Sequence, residues 1–168
     1  MIKVVDIADS DNEVEYRHEV KYIVDSHRTI YKEEFHYDDD FIDFIADAIT
    51  SFVNNRSSGL DQIWLLKIDG VPRGSIVIMK SETAEQVAQL RWFLIEADYR
   101  NKGFGRPMLD QALEFCRNVG YRKVFLWTNH ALKSARALYA SAGFTIKKQR
   151  IRELSNQKLI EEKWELSL

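Results

Sequence analysis

The run Arg100-Asn101-Lys102-Gly103-Phe104-Gly105 places basic side chains and two glycines between an apolar stretch, Leu90 to Ile95, and a helical pattern from Phe104 to about Val119. Such a loop is suited to an anion. Glycine lets backbone N–H groups approach phosphate oxygens with no Cβ in the way. A helix start adds unpaired N–H groups and the positive end of the helix dipole. Arg100, Lys102 and Arg106 surround it with mobile positive charge. No Gly-Lys-Ser/Thr closes the run, so it is not a Walker A loop. Met108 stands where a dinucleotide fingerprint needs its third glycine. Taken alone, the motif fits a purely structural tight turn and helix start as well as it fits an anion site.

A second constellation follows one helix and one strand later: Ala135, Leu138 and Tyr139, then Gly143-Phe144. The two motifs in this order resemble the GNAT superfamily of acetyl-CoA-dependent N-acetyltransferases. That family carries Arg/Gln-x-x-Gly-x-Gly/Ala after its fourth strand, matched here by Arg100, Gly103 and Gly105, and a later helix ending in Tyr shortly before Gly-Phe. The resemblance covers nearly the whole chain in element order. It is closest from Leu90 to Phe144, where it is similar to the acetyltransferase half fused to MarR-type regulators, without a DNA-binding half. It implies an α/β (α+β) GNAT fold, a mixed, mostly antiparallel sheet with helices on both faces. It also implies acetyl-CoA as cosubstrate, direct attack by a primary amine of a small molecule or peptide, and homodimerisation, which is common in the family. The alternative is a catalytically silent acyl-CoA-binding regulatory domain of the same fold. Intact Tyr139 and Gly105 favour the enzyme.

Residue by residue, the resemblance sets the coenzyme A pyrophosphate on the backbone N–H groups of Asn101, Lys102, Gly103, Phe104, Gly105 and Arg106. It pairs the pantetheine arm with the main chain of Phe93, Leu94 and Ile95, and it points to an N–H near Ile95 as oxyanion donor. Tyr139 becomes the general acid for the thiolate, since a phenol with pKa near 10 can donate at neutral pH. The place three residues before Ala135 is often Asn in this superfamily and is Leu132 here, so Asn129 and Ser134 are the nearest polar substitutes for that cofactor contact. Glu96, just past the fourth strand, is a candidate general base acting through a water, or else a solvated loop carboxylate. Gln89 and Arg91 are expected to share a strand face with Phe93 and Ile95. The segment Tyr31 to Asp40 holds five carboxylates and three aromatics. Glu33, Glu34 and Tyr37 are the expected contacts of a cationic acceptor, against a plain loop whose aspartates cap the next helix.

These residues need elements to position them. Ile2, Val4 and Ile7 suggest a first strand, and Asp11 or Asn12 can cap a helix carrying an imperfect apolar stripe of Val14, Val20, Ile23, Val24 and Ile30. Asp40 is a plausible cap for a second helix with Phe41, Ile45, Ala48, Ile49 and Phe52 on its core face. Strands are expected over Ile63–Ile68, Gly74–Met79 and Gln86–Ile95. Asp69-Gly70 signals a hairpin that Val71-Pro72 lengthens. Pro107 fits the first turn of the next helix and Gly120 its end. Strand Lys123–Trp127, helix Ala131–Ala142, strand Phe144–Lys148 and an alternating final strand, Ile160–Leu168, complete a β-α-α-β-β-β-α-β-α-β-β order.

The 168 residues are read as one domain, 1–168. A net charge of −2 leaves no basic excess to neutralise a nucleic acid. One cysteine excludes an internal disulfide and fits a reducing cytoplasm. No apolar run reaches the roughly 18 residues of a membrane span, and the first residues lack a signal-peptide core. His18, His27, His36 and His130 have no metal-ligand spacing, so no metal is expected. Cys116, on the apolar side of its helix, reads as core.

Overall fold

The computed structural model describes residues 2–6, 12–57 and 59–168, so the expectations for Ile7 and Asp11 fall outside the described residues. Its element order is the one the sequence implies: β1 (Ile2–Asp6), α1 (Glu13–Glu33), α2 (Asp39–Asn54), β2 (Gln62–Ile68), β3 (Val71–Lys80), β4 (Val87–Ile95), α3 (Gly105–Asn118), β5 (Lys123–Asn129), α4 (Lys133–Ser141), β6 (Thr145–Leu154) and β7 (Gln157–Ser167). The strands form one seven-stranded sheet, ordered β1-β2-β3-β4-β5-β7-β6. Every neighbouring pair is antiparallel except β4 with β5.

The runs Ile63–Leu66 and Ile76–Ile78 are apolar at every position because the sheet is covered on both faces. Successive side chains point to opposite sides. Ile63, Leu65 and Val77 meet Ile23 of α1 and Ile45, Ile49 and Val53 of α2. Trp64, Leu66, Ile76 and Ile78 meet Met108, Leu109, Ala112, Leu113 and Cys116 of α3. Burial pushes the Cys116 thiol up to about 12, so it is an inert core group.

Several boundaries differ from expectation for physical reasons. Asp38, not Asp40, caps α2: its carboxylate accepts from the Phe41 N–H at 2.8 Å, leaving Asp39 and Asp40 as charges in the first turn. The buried face of α2 is accordingly rotated to include Ile42, Ala46 and Val53. Asn12 caps α1 by accepting from the Val14 N–H, and Val14, in the first turn, is exposed and not part of the buried stripe. The Asp69-Gly70 turn is not lengthened. Both residues have positive φ and Val71 pairs directly with Ile68, while a bulge beside Pro72 absorbs the irregularity. The last hairpin is longer than expected, turning at Ser155-Asn156, both at positive φ. Strand β6 is exposed along most of its length, so it carries no alternation to read. Lys147, Lys148, Arg150 and Arg152 guard this sheet edge with charge.

Candidate active site

The site begins with one misfit in β4. Between the pairs Ser75–Leu94 and Val77–Arg91, β4 carries one more residue than β3. The extra residue is Trp92, held at φ +46 with its carbonyl accepting from Ser75 Oγ at 3.0 Å. A bulge reverses the alternation beyond it. Trp92 joins the core under α1 and α2, while Phe93 and Ile95 turn to the α3 side. The expectation that Arg91 shares a face with Phe93 and Ile95 is thereby corrected.

Next to the bulge, the parallel ladder between β4 and β5 stops. It joins Val87–Gln89 to Lys123–Phe125 and goes no further. Beyond it the strands separate, and a cleft of about 830 Å³ opens through the sheet. The main chain of β4 from Leu90 to Ile95 forms one wall, Leu126 to Asn129 of β5 the other, and residues of both helical layers close its ends.

At the α3 end lies the basic loop. A single 3-10 turn, Ala97–Tyr99, leads from β4 into it. Asn101 and Gly103 adopt positive φ, +58 and +84. Phe104 precedes α3 without a side-chain cap, and Pro107 has no N–H to satisfy. Among the described residues, none accepts from the backbone N–H groups of 101–106. These free donors at a helix start form an anion-binding concavity. Its basic side chains are less free than the sequence suggests. Arg100 donates to the Ile95 carbonyl at 2.7 Å and to both carboxylate oxygens of Glu34 at 2.6 and 3.0 Å. Arg106 pairs with Asp110 at 2.8 Å, and Lys102, outside the cleft wall, lies over the Tyr99 ring. The donors left free at this loop are mainly main-chain.

Gly105 has a different role from the one expected. A Cβ there would lie 3.1 Å from Leu138 Cδ2, with Ile95 and Phe93 close behind. Its bareness lets α3 approach α4, so Gly105→Val crowds the Leu138 side chain as well as the anion-binding concavity. Gly103 is the position with open space and a left-handed backbone.

Tyr139 sits on the inner face of α4, 6% exposed, and lines the cleft among Phe93, Phe144 and Trp164. Burial raises its pKa above that of a free phenol, which keeps the proton on the oxygen. Arg136 anchors α4 by donating to the fully buried Glu162 at 2.9 and 3.2 Å, and Trp164 Nε1 and Gln149 complete that carboxylate's bonding. Ser134 and Asn129 both line the cleft. Asn129 also accepts from the Ala131 N–H at 2.9 Å.

The opposite end is built from α1 and the α1–α2 connection. Tyr31, Phe35, Tyr37 and Phe41 form an aromatic cluster with ring centroids 5.1–6.2 Å apart. The β6–β7 turn clamps this connection: Ser155 Oγ accepts from the Asp38 N–H at 2.8 Å, and Gln157 donates to the Phe35 carbonyl at 2.8 Å.

Of the expected site residues, Phe93, Leu94, Ile95, Arg100, Asn101, Gly103, Phe104, Gly105, Arg106, Asn129, Ser134, Tyr139 and Tyr37 share this cleft. Lys102, Glu33, Glu34 and Glu96 do not. Glu34 is taken by Arg100. Glu96 pairs with Arg73 at 3.1 Å beside a separate hollow at the far end of α1. Sequence reading passed over His27, which lines the cleft 2% exposed, and its signal was a polar residue on the apolar face between Ile23 and Ile30. Its Nδ1 donates to the Ile23 carbonyl at 2.8 Å, which leaves Nε2 bare in the neutral ring.

Burial lowers the His27 pKa from 6.5 to about 4. Within that window the unfolded chain binds a proton that the folded chain refuses. Stability is therefore fully present above the upper value and falls with pH, by roughly 3 kcal/mol once both values are passed. Denaturant titrations across this window should show that slope, and His27→Gln should flatten it.

The model of the acetyltransferase (GNAT) family matches residues 20–144. Human N-acetyltransferase 8 is 31% identical over 104 residues, 60% of this chain and 44% of that protein. Probable N-acetyltransferase camello of Xenopus tropicalis is 30% identical over 52% of this chain and 39% of its own length. The chain spans less than half the length of the curated relatives it matches. Among solved structures, a GNAT-family acetyltransferase from Staphylococcus aureus Mu50 superposes with TM-score 0.73 at 21% identity, covering 100% of this chain and 99% of the other. The Salmonella typhimurium protein yncA, solved with its cofactor acetyl-CoA, gives 0.72 at 14% identity, covering 100% and 93%. At these identities the structural likeness shows the fold.

Proposed function

The chain belongs to the GNAT acetyltransferase family, and from that premise we propose that it transfers the acetyl group of acetyl-CoA to a primary amine by direct attack. The observation that carries this reading is the parting of β4 from β5 beyond Gln89, which leaves a strand edge unpaired beside a loop of free N–H groups. An amide-bearing arm can pair with that edge as a further strand, and a pyrophosphate can sit on residues 101–106. Both fit coenzyme A, and the yncA neighbour is described with acetyl-CoA.

The chemistry asked of the residues is limited. A main-chain N–H near Ile95 polarises the thioester carbonyl. A C–N bond forms as the C–S bond breaks, and Tyr139 gives its proton to the departing thiolate. The amine's proton leaves toward solvent. Glu96, held outside the cleft by Arg73, would serve only through intervening water, whereas His27 offers a bare ring nitrogen within the cleft wall. The finer likeness to acetyltransferase halves of MarR-type fusions rests on the Leu90–Phe144 motifs alone.

The test is calorimetric titration with acetyl-CoA, followed by thiol release with a panel of primary amines. Binding with amine-dependent release supports the transferase. Binding without release from any amine returns the chain to the silent acyl-CoA-binding reading.

A further inference from the structure

The acceptor end of the cleft has an unbalanced charge. Arg91 lines it from β4, its guanidinium stacked 4.6 Å over the Trp92 ring, with the Met79 sulfur at 3.9 Å as its one hydrogen-bond partner among the described residues. The other two arginines of the cleft are tied to Glu34 and Asp110. Arg91 has no ion pair among the described residues. Burial pulls its pKa below the ordinary arginine value, opposed by the charges of Tyr31 and Glu82. The anion that shares this end, Glu161, is held by Arg150 at 2.7 Å and Arg152 at 3.4 Å. His27 is neutral there. Arg91 is half-buried, and a partly desolvated guanidinium without a paired carboxylate favours an anion that completes it.

Arg91 is also close to the chemistry. It lies two residues before Phe93, across the Trp92 bulge, on the strand whose free edge begins the cofactor wall. The aromatic cluster of Tyr31, Phe35, Tyr37 and Phe41 lines the same cleft, and its Tyr31 acts on the Arg91 charge.

We propose that the acceptor is a primary amine that also carries a carboxylate, which Arg91 binds in bidentate fashion, and an apolar or aromatic substituent, which the Tyr31–Phe41 cluster holds. This is the chemistry of an apolar amino acid. It replaces the cationic acceptor that the acidic residues of the α1–α2 connection suggest in sequence, because Glu33 and Glu34 lie outside the cleft wall. The proposal rests on the acetyl-transfer reading for turnover, but the recognition it describes can be measured without turnover.

Two readouts keep these apart. In protein loaded with coenzyme A, calorimetry compares phenylalanine and leucine with their amides, with phenethylamine and with spermidine. The free acids should bind about tenfold to a hundredfold more tightly than the amides, the range expected for a charge-assisted hydrogen-bonded pair. Arg91→Gln should remove that preference while leaving acetyl-CoA affinity and the weak binding of phenethylamine unchanged. Arg91→Lys should restore part of it. The same compounds are then assayed with acetyl-CoA for thiol release. Equal binding of acid and amide, a preference for spermidine, or an Arg91→Gln loss shared by every amine would each overturn the proposal. A preference for the acids without thiol release from any amine would leave Arg91 as a carboxylate site and overturn the acetyl-transfer reading instead.

Discussion

Tyr139→Phe should lower kcat by about a hundredfold with acetyl-CoA affinity unchanged. A general acid contributes about 10²–10⁴-fold, and a thiolate, derived from a thiol of pKa about 8.5, is already a fair leaving group, so the smaller end applies. The substitution removes one oxygen and keeps the ring against Phe93, Phe144 and Trp164, so the packing of α4 is retained. The raised pKa of the phenol sets a second expectation. Because Tyr139 stays protonated through the neutral and mildly alkaline range, it should contribute no basic limb to the rate profile below about pH 10. Single-turnover kinetics, which isolate the chemical step, provide the measurement. An undiminished single-turnover rate would leave Tyr139 with its packing role alone.

Gly103→Val should raise the dissociation constant for acetyl-CoA by about a hundredfold or more, with little change in thermal stability. The backbone at Gly103 has φ +84, and nothing lies within 4 Å of the Cβ that a side chain would add. There is thus no clash, only strain, which for a side chain in this region costs about 1–3 kcal/mol. A surface loop can relieve that strain by turning over. Doing so swings the N–H groups of residues 101–106 out of their shared concavity, and each charge-assisted bond lost is worth about 1.5–3 kcal/mol. Gly103→Asn is the control, since Asn tolerates the left-handed region and should bind nearly as well as glycine. If Gly103→Val binds acetyl-CoA normally while remaining folded, the pyrophosphate is held elsewhere. Gly105→Val is expected to behave differently, losing stability along with affinity, because its side chain meets Leu138.

The parts of this molecule that depend on neighbours in sequence were legible there. Continuous apolar runs marked the two-sided strands, glycines and Pro107 marked the helix ends, and the spacing of Arg100, Gly103, Gly105 and Tyr139 marked residues that line one cleft. Each is a local property: a turn angle, a missing N–H, a residue every second position. What tertiary structure decided is where charges went and which way β4 faces. Arg100 and Glu34 are 66 residues apart, and only the docking of α1 onto the end of β4 makes them a pair instead of a phosphate ligand and an amine ligand. Glu96 was drawn out of the cleft by Arg73 on the adjacent strand. The acceptor end is clamped by Ser155 and Gln157, more than a hundred residues beyond the loop they hold. Trp92 at positive φ is the sharpest case. A bulky aromatic disfavours that conformation locally, and it persists because pairing with β3 on one side and burial under α1 and α2 on the other outweigh the cost. That single bulge turns Trp92 toward α1 and α2 and Phe93 toward α3, so which wall of the cleft each residue lines is a property of the sheet, set by strand register that no local pattern encodes.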